Sequence, residues 1–340
     1  MTSLRAFVLT RLLLLIPMIW ILLTVVFFIL RVMPGANPVR VMSPQLPEDQ
    51  IQAISEQMGL NDPLEEQYLD FFTNILSLDF GDSYQSKVPI IDELQLAFGP
   101  TAMLAIGGSL IGIPMGVYLG AYAGNNREKI PDHLVRIFTL GIYSLPIFLI
   151  GIVMQIFFGK GYELDLLPPL DLVKPGGTAE FTHYTEIWFL DAILSGRLDI
   201  AWDILKHLLM PCTALGMLIA ASIARQVRIN TIYELEQNYI HFARSRGIPE
   251  SQVKYKYALK NAVAPTFSLI GLQFALLLAG AILTETTFNI PGLGRYLFFA
   301  ISNKDYPAVQ GALVLLILVV SVVSIISDIF YALIDPRIKY

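Results

Sequence analysis

Hydrophobic positions in this chain gather into six long runs, at 12–32, 101–123, 137–158, 207–224, 262–284 and 308–334, and charged residues return between them. Each run reaches or nearly reaches the ~20 apolar residues that a helix needs to cross a hydrocarbon layer. The pattern therefore predicts six membrane-spanning helices. The fourth run is the least regular, being short and carrying Pro211. The first reads as a retained helix rather than a cleaved signal, because its apolar core is too long for a signal and no small-residue cleavage site follows Arg31-Val32-Met33-Pro34.

The polar stretches carry patterns of their own. Within 43–100, Pro47-Glu48-Asp49 opens a helix, Gly59 closes it, and Asp62-Pro63 with Glu65 starts and caps another. Phe71, Phe72, Ile75 and Leu76 supply an apolar face to the second helix, and Gly81-Asp82 begins a turn, so a small helical cap is expected. The stretch 159–206, with Pro168-Pro169 and Pro175-Gly176-Gly177, has little regular pattern before Asp191. Residues 238–265 are different: Ile240, Phe242, Ala243, Ile248, Val253 and Tyr257 recur at roughly helical spacing, while Gly247 and Pro249 interrupt them. A helix, a turn and a helix follow, with an apolar face available to another protein.

Composition agrees with the runs. The chain has 340 residues, 55% hydrophobic and only 15% charged, which excludes an ordinary soluble protein. Charge then sets the orientation. With the amino terminus inside, the inner segments hold Arg5 and Arg11; Arg127, Lys129 and Arg136; Arg225, Arg228, Arg244, Arg246, Lys254, Lys256 and Lys260; and Arg337 and Lys339. Most acids fall on the other side. Basic residues stay cytoplasmic, so both termini are expected there. The net charge of −5 sums two opposite sides and names no partner. Cys212, the single cysteine, has neither a disulfide partner nor neighbouring metal ligands in sequence and reads as a small packing residue.

Gly108, Gly112, Gly116, Gly120 and Gly124 repeat every four residues in the second run. Each step advances about 40° on a helix, so they form a slowly winding groove that another helix can approach closely. The groove reads equally as internal packing or as an interface between helices that slide. Asp328 is the acid well inside an apolar run and reads either as a functional group or as a partner of Arg225 or Arg228. Glu285 ends the fifth run facing outward, lining a substrate entrance or simply solvated. Pro291, Gly292 and Gly294 form a turn dipping toward a pore or an ordinary outer turn, and Tyr296, Phe298 and Phe299 read as interfacial anchors.

From 238 to 340 the chain resembles the inner-membrane permease subunits of ABC importers, in the peptide/nickel family that includes dipeptide and oligopeptide permeases. The resemblance rests on Ala243-Arg244-Ser245-Arg246-Gly247, Ala258-Leu259-Lys260-Asn261-Ala262, Leu283-Thr284-Glu285-Thr286, Pro291-Gly292-Leu293-Gly294-Arg295, Asp305-Tyr306-Pro307, Gln310-Gly311 and Asp335-Pro336-Arg337. Weaker matches at Pro34-Gly35, Gly59-Leu60, Gly81-Asp82-Ser83 and Tyr143-Ser144-Leu145-Pro146 extend it over nearly the whole chain. Ala36-Asn37-Pro38 and the long loop before the fourth run depart from the family pattern. Residues 238–265 resemble the EAA loop, which implies that His241, Phe242, Ala243, Arg244, Arg246, Gly247 and Ile248 couple the chain to an ATPase.

The resemblance further implies an all-α polytopic fold like that of type I ABC importers, divided into a first segment and helix over 1–33, an extracytoplasmic cap over 34–100 and a five-helix core over 101–340. It implies half of a translocation pathway for peptides, with Glu285, Pro291, Gly292 and Gly294 as path or gate residues. Nickel, glutathione or oligosaccharide transport is the alternative within the class, and an ion-coupled transporter or membrane enzyme is the alternative outside it. Implied partners are a second homologous permease subunit, two cytoplasmic ABC ATPase subunits that bind ATP and Mg, an extracytoplasmic solute-binding protein and membrane lipid, with no nucleic acid, metal or cofactor on this chain. The expected location is a bacterial or archaeal plasma membrane. Independently of the resemblance, the sequence has no GxxxxGK[ST] phosphate loop, HExxH or GxSxG, so neither ATP hydrolysis nor these hydrolase chemistries is predicted for it.

Overall fold

The computed structural model describes residues 4–32, 39, 47–57, 59–161, 163–177 and 181–334. All named elements among them are helical, as the apolar runs predict. The first run lies in α1 (Leu4–Val32), and the cap holds α2 (Glu48–Gln57) and α3 (Leu64–Ser77). Gly59 ends α2 at φ +62°, as its position suggests, and Pro63 rather than Asp62 occupies the N-cap of α3. The apolar face of α3 sits on α1, without the expected Leu76, which is exposed: the Phe27 ring lies 5.2 Å from Tyr68 and 5.5 Å from Phe71, while the Tyr68 hydroxyl bonds Thr24 at 2.7 Å.

The second run is the middle of α4 (Ile90–Asn125) and the fourth lies within α8 (Leu198–Leu235). At about 1.5 Å per residue each is longer than a hydrocarbon core is thick, so both reach beyond it. Pro211 leaves α8 continuous, and most of its apolar stretch is buried in the chain. The fourth run is therefore the best enclosed of the four long apolar helices, contrary to its sequence appearance. The boundary expected at residue 100 falls inside α4, so cap and core share one continuous helix.

The third run is not one straight helix. It divides into α5 (Ile130–Ser144) and α6 (Ile147–Phe158), set at 105° to each other. Pro146 has no N–H and crowds the residue before it, and Leu145 accordingly takes an extended conformation, φ −100° and ψ 135°. The unreadable stretch after α6 supplies α7 (Trp188–Leu194), which packs on α8. The fifth run is divided as well. After α9 (Asn238–Ser245) come α10 (Glu250–Gln252), a π-helical turn Val253–Ala258, α11 (Leu259–Val263), α12 (Thr266–Gly280) and α13 (Ile282–Thr287). The chain closes with α14 (Leu293–Ser302) and α15 (Tyr306–Ile334).

By length and apolarity, four helices among the described residues can each cross a membrane, or five if the bent pair α5–α6 counts as one span. The direction of the chain explains the discrepancy with the six runs. Successive α4 glycines meet successive α8 residues in the same order, Gly112 at Ile219, Gly116 at Ile223 and Gly120 at Val227, so α4 and α8 are parallel. The chain must return between them, and α5–α6 is that return. Gly311 near the start of α15 touches Ile90 at the start of α4, so α15 runs the same way again. The broken series α12–α13 makes the second return.

Candidate functional site

The segment 238–265 is built as a miniature domain at the end of α8. Ile240, Ala243, Val253 and Ala258 form its buried core, with Leu235, Ile248 and Tyr257 packed around them. Gly247 closes α9 in a left-handed conformation, φ +74°. Its N–H donates to Arg244 O at 2.9 Å and the Ile248 N–H donates to Ala243 O at 3.3 Å, the paired bonds of a Schellman turn. The short helices are tied to α8 from the side: Asn230 Nδ2 donates to Ala262 O at 2.9 Å, and Tyr239 OH donates to Glu234 Oε2 at 2.5 Å.

The seven residues that the resemblance marks for coupling divide into two groups. Ala243 is buried and Ile248 half-buried, so both build the turn. His241, Phe242, Arg244, Arg246 and Gly247 face outward. Phe242 is 63% exposed, and the Arg246 guanidinium lies 5.5 Å from its ring centroid, giving a cationic aromatic knob beside the glycine turn. Arg244 donates to Glu250 at 2.9 Å, which fixes the two sides of the turn and holds the Glu250 carboxyl below its ordinary pKa. Lys256 and Lys260 add exposed positive charge, so the surface suits an acidic, apolar partner site.

The four path or gate residues do not form one exposed set. Glu285 is fully buried, which corrects both sequence readings, because each put its carboxylate against water or solute. Its Oε1 accepts from Thr101 Oγ1 at 2.7 Å and its Oε2 accepts from the Arg295 N–H at 2.8 Å. The Leu293 N–H donates in turn to Thr101 Oγ1 at 2.8 Å. Glu285 and Thr101 together satisfy the open N–H groups at the start of α14, where a carboxylate also complements the helix dipole. Gly292 lies against this carboxylate, since a Cβ there would stand 2.3 Å from Glu285 Cδ. Gly294 abuts the α12–α13 break, with a Cβ position 2.9 Å from Ile282 Cα. Pro291 and Gly292, but neither Glu285 nor Gly294, line a cleft of about 570 Å³ shared with Glu93, His183, Arg295 and Tyr296. Tyr296 donates its hydroxyl to Glu93 Oε2 at 2.9 Å, so it is anchored to protein and is not a free interfacial ring.

Gly108, Gly112, Gly116, Gly120 and Gly124 all face α8 of the same chain. A Cβ would stand 2.6 Å from Gly216 O at Gly112, 2.9 Å from Ala220 O at Gly116 and 2.6 Å from Ala224 O at Gly120. Backbone fills the groove, which removes it as a surface for a separate subunit.

Two features escaped the sequence reading. Gly99 admits no side chain, because a Cβ would fall 1.7 Å from Glu186 O where the 181–187 loop crosses α4. Its glycine lies off the four-residue series and gave no signal. Asp132 is completely buried and pairs with Arg228, whose Nη2 donates to Asp132 Oδ2 at 2.7 Å. This pairing joins α5 to α8 and takes the place expected for Asp328, whose side chain lies outside the described residues. The terminal Asp335-Pro336-Arg337 also lies outside them.

Comparison with known proteins gives this geometry a family. Residues 112–340 match the model of the "binding-protein-dependent transport system inner membrane component", and residues 4–104 match the model of its N-terminal part. A dipeptide transport system permease protein of Alkalihalophilus pseudofirmus is 35% identical over 98% of this chain and 99% of its own length. A di/tripeptide transport system permease protein of Pseudomonas aeruginosa is 33% identical over 98% of this chain and 99% of its own. A glutathione transport system permease protein of Escherichia coli is 31% identical over the same shares. A multi-pass helical protein matched from end to end in this way has a transport role, not a catalytic one, and it belongs to the inner-membrane permease components of binding-protein-dependent ABC importers.

Proposed function

We propose that the chain forms half of the translocation pathway of an ATP-driven importer of short peptides, a class that takes in glutathione. The observation that carries the coupling half of this reading is the knob of Phe242 and Arg246 beside the Gly247 turn, mounted on a self-contained core at one end of α8. An exposed aromatic ring with an arginine stacked on it is the kind of anchor that dominates protein interfaces. Two cytoplasmic ATPase subunits, binding ATP and Mg, receive it, and a second permease subunit completes the pathway. An extracytoplasmic binding protein delivers the peptide to the outer face. The dipeptide and di/tripeptide permeases among the relatives support the peptide class, and glutathione, itself a tripeptide, belongs to the same chemistry. The charge distribution and the two returns of the chain support six crossings with both termini cytoplasmic.

The test is the full transporter, co-expressed and reconstituted in vesicles. Phe242→Ala removes an exposed ring and no core contact, so insertion and yield should match the parent protein. ATPase subunits retained on an affinity-tagged permease should fall about tenfold, as should ATP-dependent dipeptide uptake. Unchanged retention and uptake overturn the coupling assignment. Dipeptide uptake driven by a proton gradient without ATP overturns the importer reading itself.

A further inference from the structure

Between α5 and α8, at the end that carries the basic residues, lies a half-open groove of about 280 Å³ whose lining includes Arg136, Arg225 and Arg228 with Val135, Leu140 and Ile229. Three arginines in so small a space repel one another unless anions offset them. Among the described residues the protein supplies one: Asp132, buried at the start of α5, is bonded to Arg228 and only partly offsets the charge of Arg136 one turn on. Among the described residues Arg225 has no carboxylate partner, and it lies over the Tyr143 ring, its guanidinium 5.2 Å from the centroid. Arg136 has none within salt-bridge distance either. Glu236, just past the end of α8, is engaged with Arg127 at 2.8 Å. The groove therefore keeps a net positive charge. Its mouth opens onto apolar surface, with Ile137 and Leu140 of α5 each about two-thirds exposed. A chain of this hydrophobicity presents that surface to lipid.

We infer that this groove holds an anionic phospholipid, its phosphate between Arg136 and Arg225 and an acyl chain along Ile137, Leu140 and Tyr143. Charge and apolarity meet here in the order a phospholipid presents them, headgroup then hydrocarbon. Planar guanidinium groups suit phosphate oxygens, and basic pockets between membrane helices take such headgroups. The lipid would hold α5 against α8 beside the Asp132–Arg228 pair, at the end of α8 that carries the coupling segment. Only the leaflet assigned to the lipid, the cytoplasmic one, rests on the proposed orientation.

Native mass spectrometry of the full-length chain, alone and in its complete transporter, reads the binding in detergent, where no sidedness exists. The probes are phosphatidylglycerol, phosphatidylcholine with the same acyl chains, and inorganic phosphate. One phosphatidylglycerol should be retained about tenfold more strongly than phosphatidylcholine, and phosphate alone should neither bind detectably nor displace it. Arg136→Gln and Arg225→Gln should each weaken retention roughly fivefold. Arg127→Gln, an exposed basic position outside the groove, should leave it unchanged. Arg136 is exposed, so its variant keeps the test open even where the Arg225 variant folds poorly. Equal retention of the two lipids, competition by phosphate, or insensitivity to Arg136→Gln overturns the assignment. So does loss of the lipid when the other subunits assemble, which would mean that protein fills the groove. None of these readouts depends on peptide transport, so failure here leaves the importer reading standing.

Discussion

A carboxylate can serve a transporter by meeting its solute or by holding a helix in place, and Glu285 does the second. Its Oε2 accepts from the Arg295 N–H, and its Oε1 accepts from the Thr101 hydroxyl, which in turn accepts from the Leu293 N–H. Glu285→Ala should therefore leave buried donors without partners, a loss of about 1 to 3 kcal/mol, read as a lower midpoint of thermal unfolding in detergent. Thr101→Val should cost less, because one acceptor stays. Peptide affinity of the separate binding protein should not change in either case. A Glu285→Ala variant as stable as the parent, with transport selectively lost, would return Glu285 to the translocation path. The sequence displayed Glu285 and Gly292 but not their contact. Nothing in a one-dimensional pattern says that a carboxylate will fold back onto a helix that starts eight residues later.

Among the elements, the α4–α8 pair was half legible. The four-residue glycine period announced a close helix approach, and the structure supplies the partner, which the period could not name. Apolarity measures contact with a membrane and not the length of a helix. This is why α8 looked short: its polar flanks, from Asp199 to Lys206 and from Arg225 to Glu234, continue the same helix. Conversely, an unbroken apolar run hid the bend at Leu145-Pro146, although the proline was in view. Gly112→Ala and Gly116→Ala should each destabilise the protein by about 1 to 3 kcal/mol, since their first carbon already collides with a backbone carbonyl and an isoleucine. Gly141→Ala is the matched control. No atom lies within 4 Å of its Cβ position, so its unfolding midpoint should equal or exceed that of the parent. Equal behaviour of the three variants would mean that α4 and α8 do not touch in the membrane.

For the whole molecule, the orientation can be read with thiol labels in a Cys212→Ala background. Leu76, 85% exposed on the cap, and Ser251, exposed beside the coupling turn, are the sites to replace with cysteine. Ser83 would be a poor choice, because it is buried and its hydroxyl donates to Asp305 at 2.6 Å. In intact cells an impermeant maleimide should label Leu76→Cys and reach Ser251→Cys only after permeabilisation. The reverse result would invert every assignment of side made from charge. Cys212 itself, on α8 and packed against α4, should stay unmodified in the folded parent protein.

The glycine groove also sets a problem of timing during synthesis. Its floor is backbone, and the helix that covers it is finished only when Leu235 has been made, well over a hundred residues after Gly108. At about 5 to 20 residues per second, α4 waits roughly 5 to 20 s with a strip of bare peptide facing whatever surrounds it. Lipid fills such a strip poorly, and another α4 from a neighbouring ribosome would fill it well. Premature truncation between α4 and α8 should therefore yield a product that self-associates, whereas truncation after Leu235 should not.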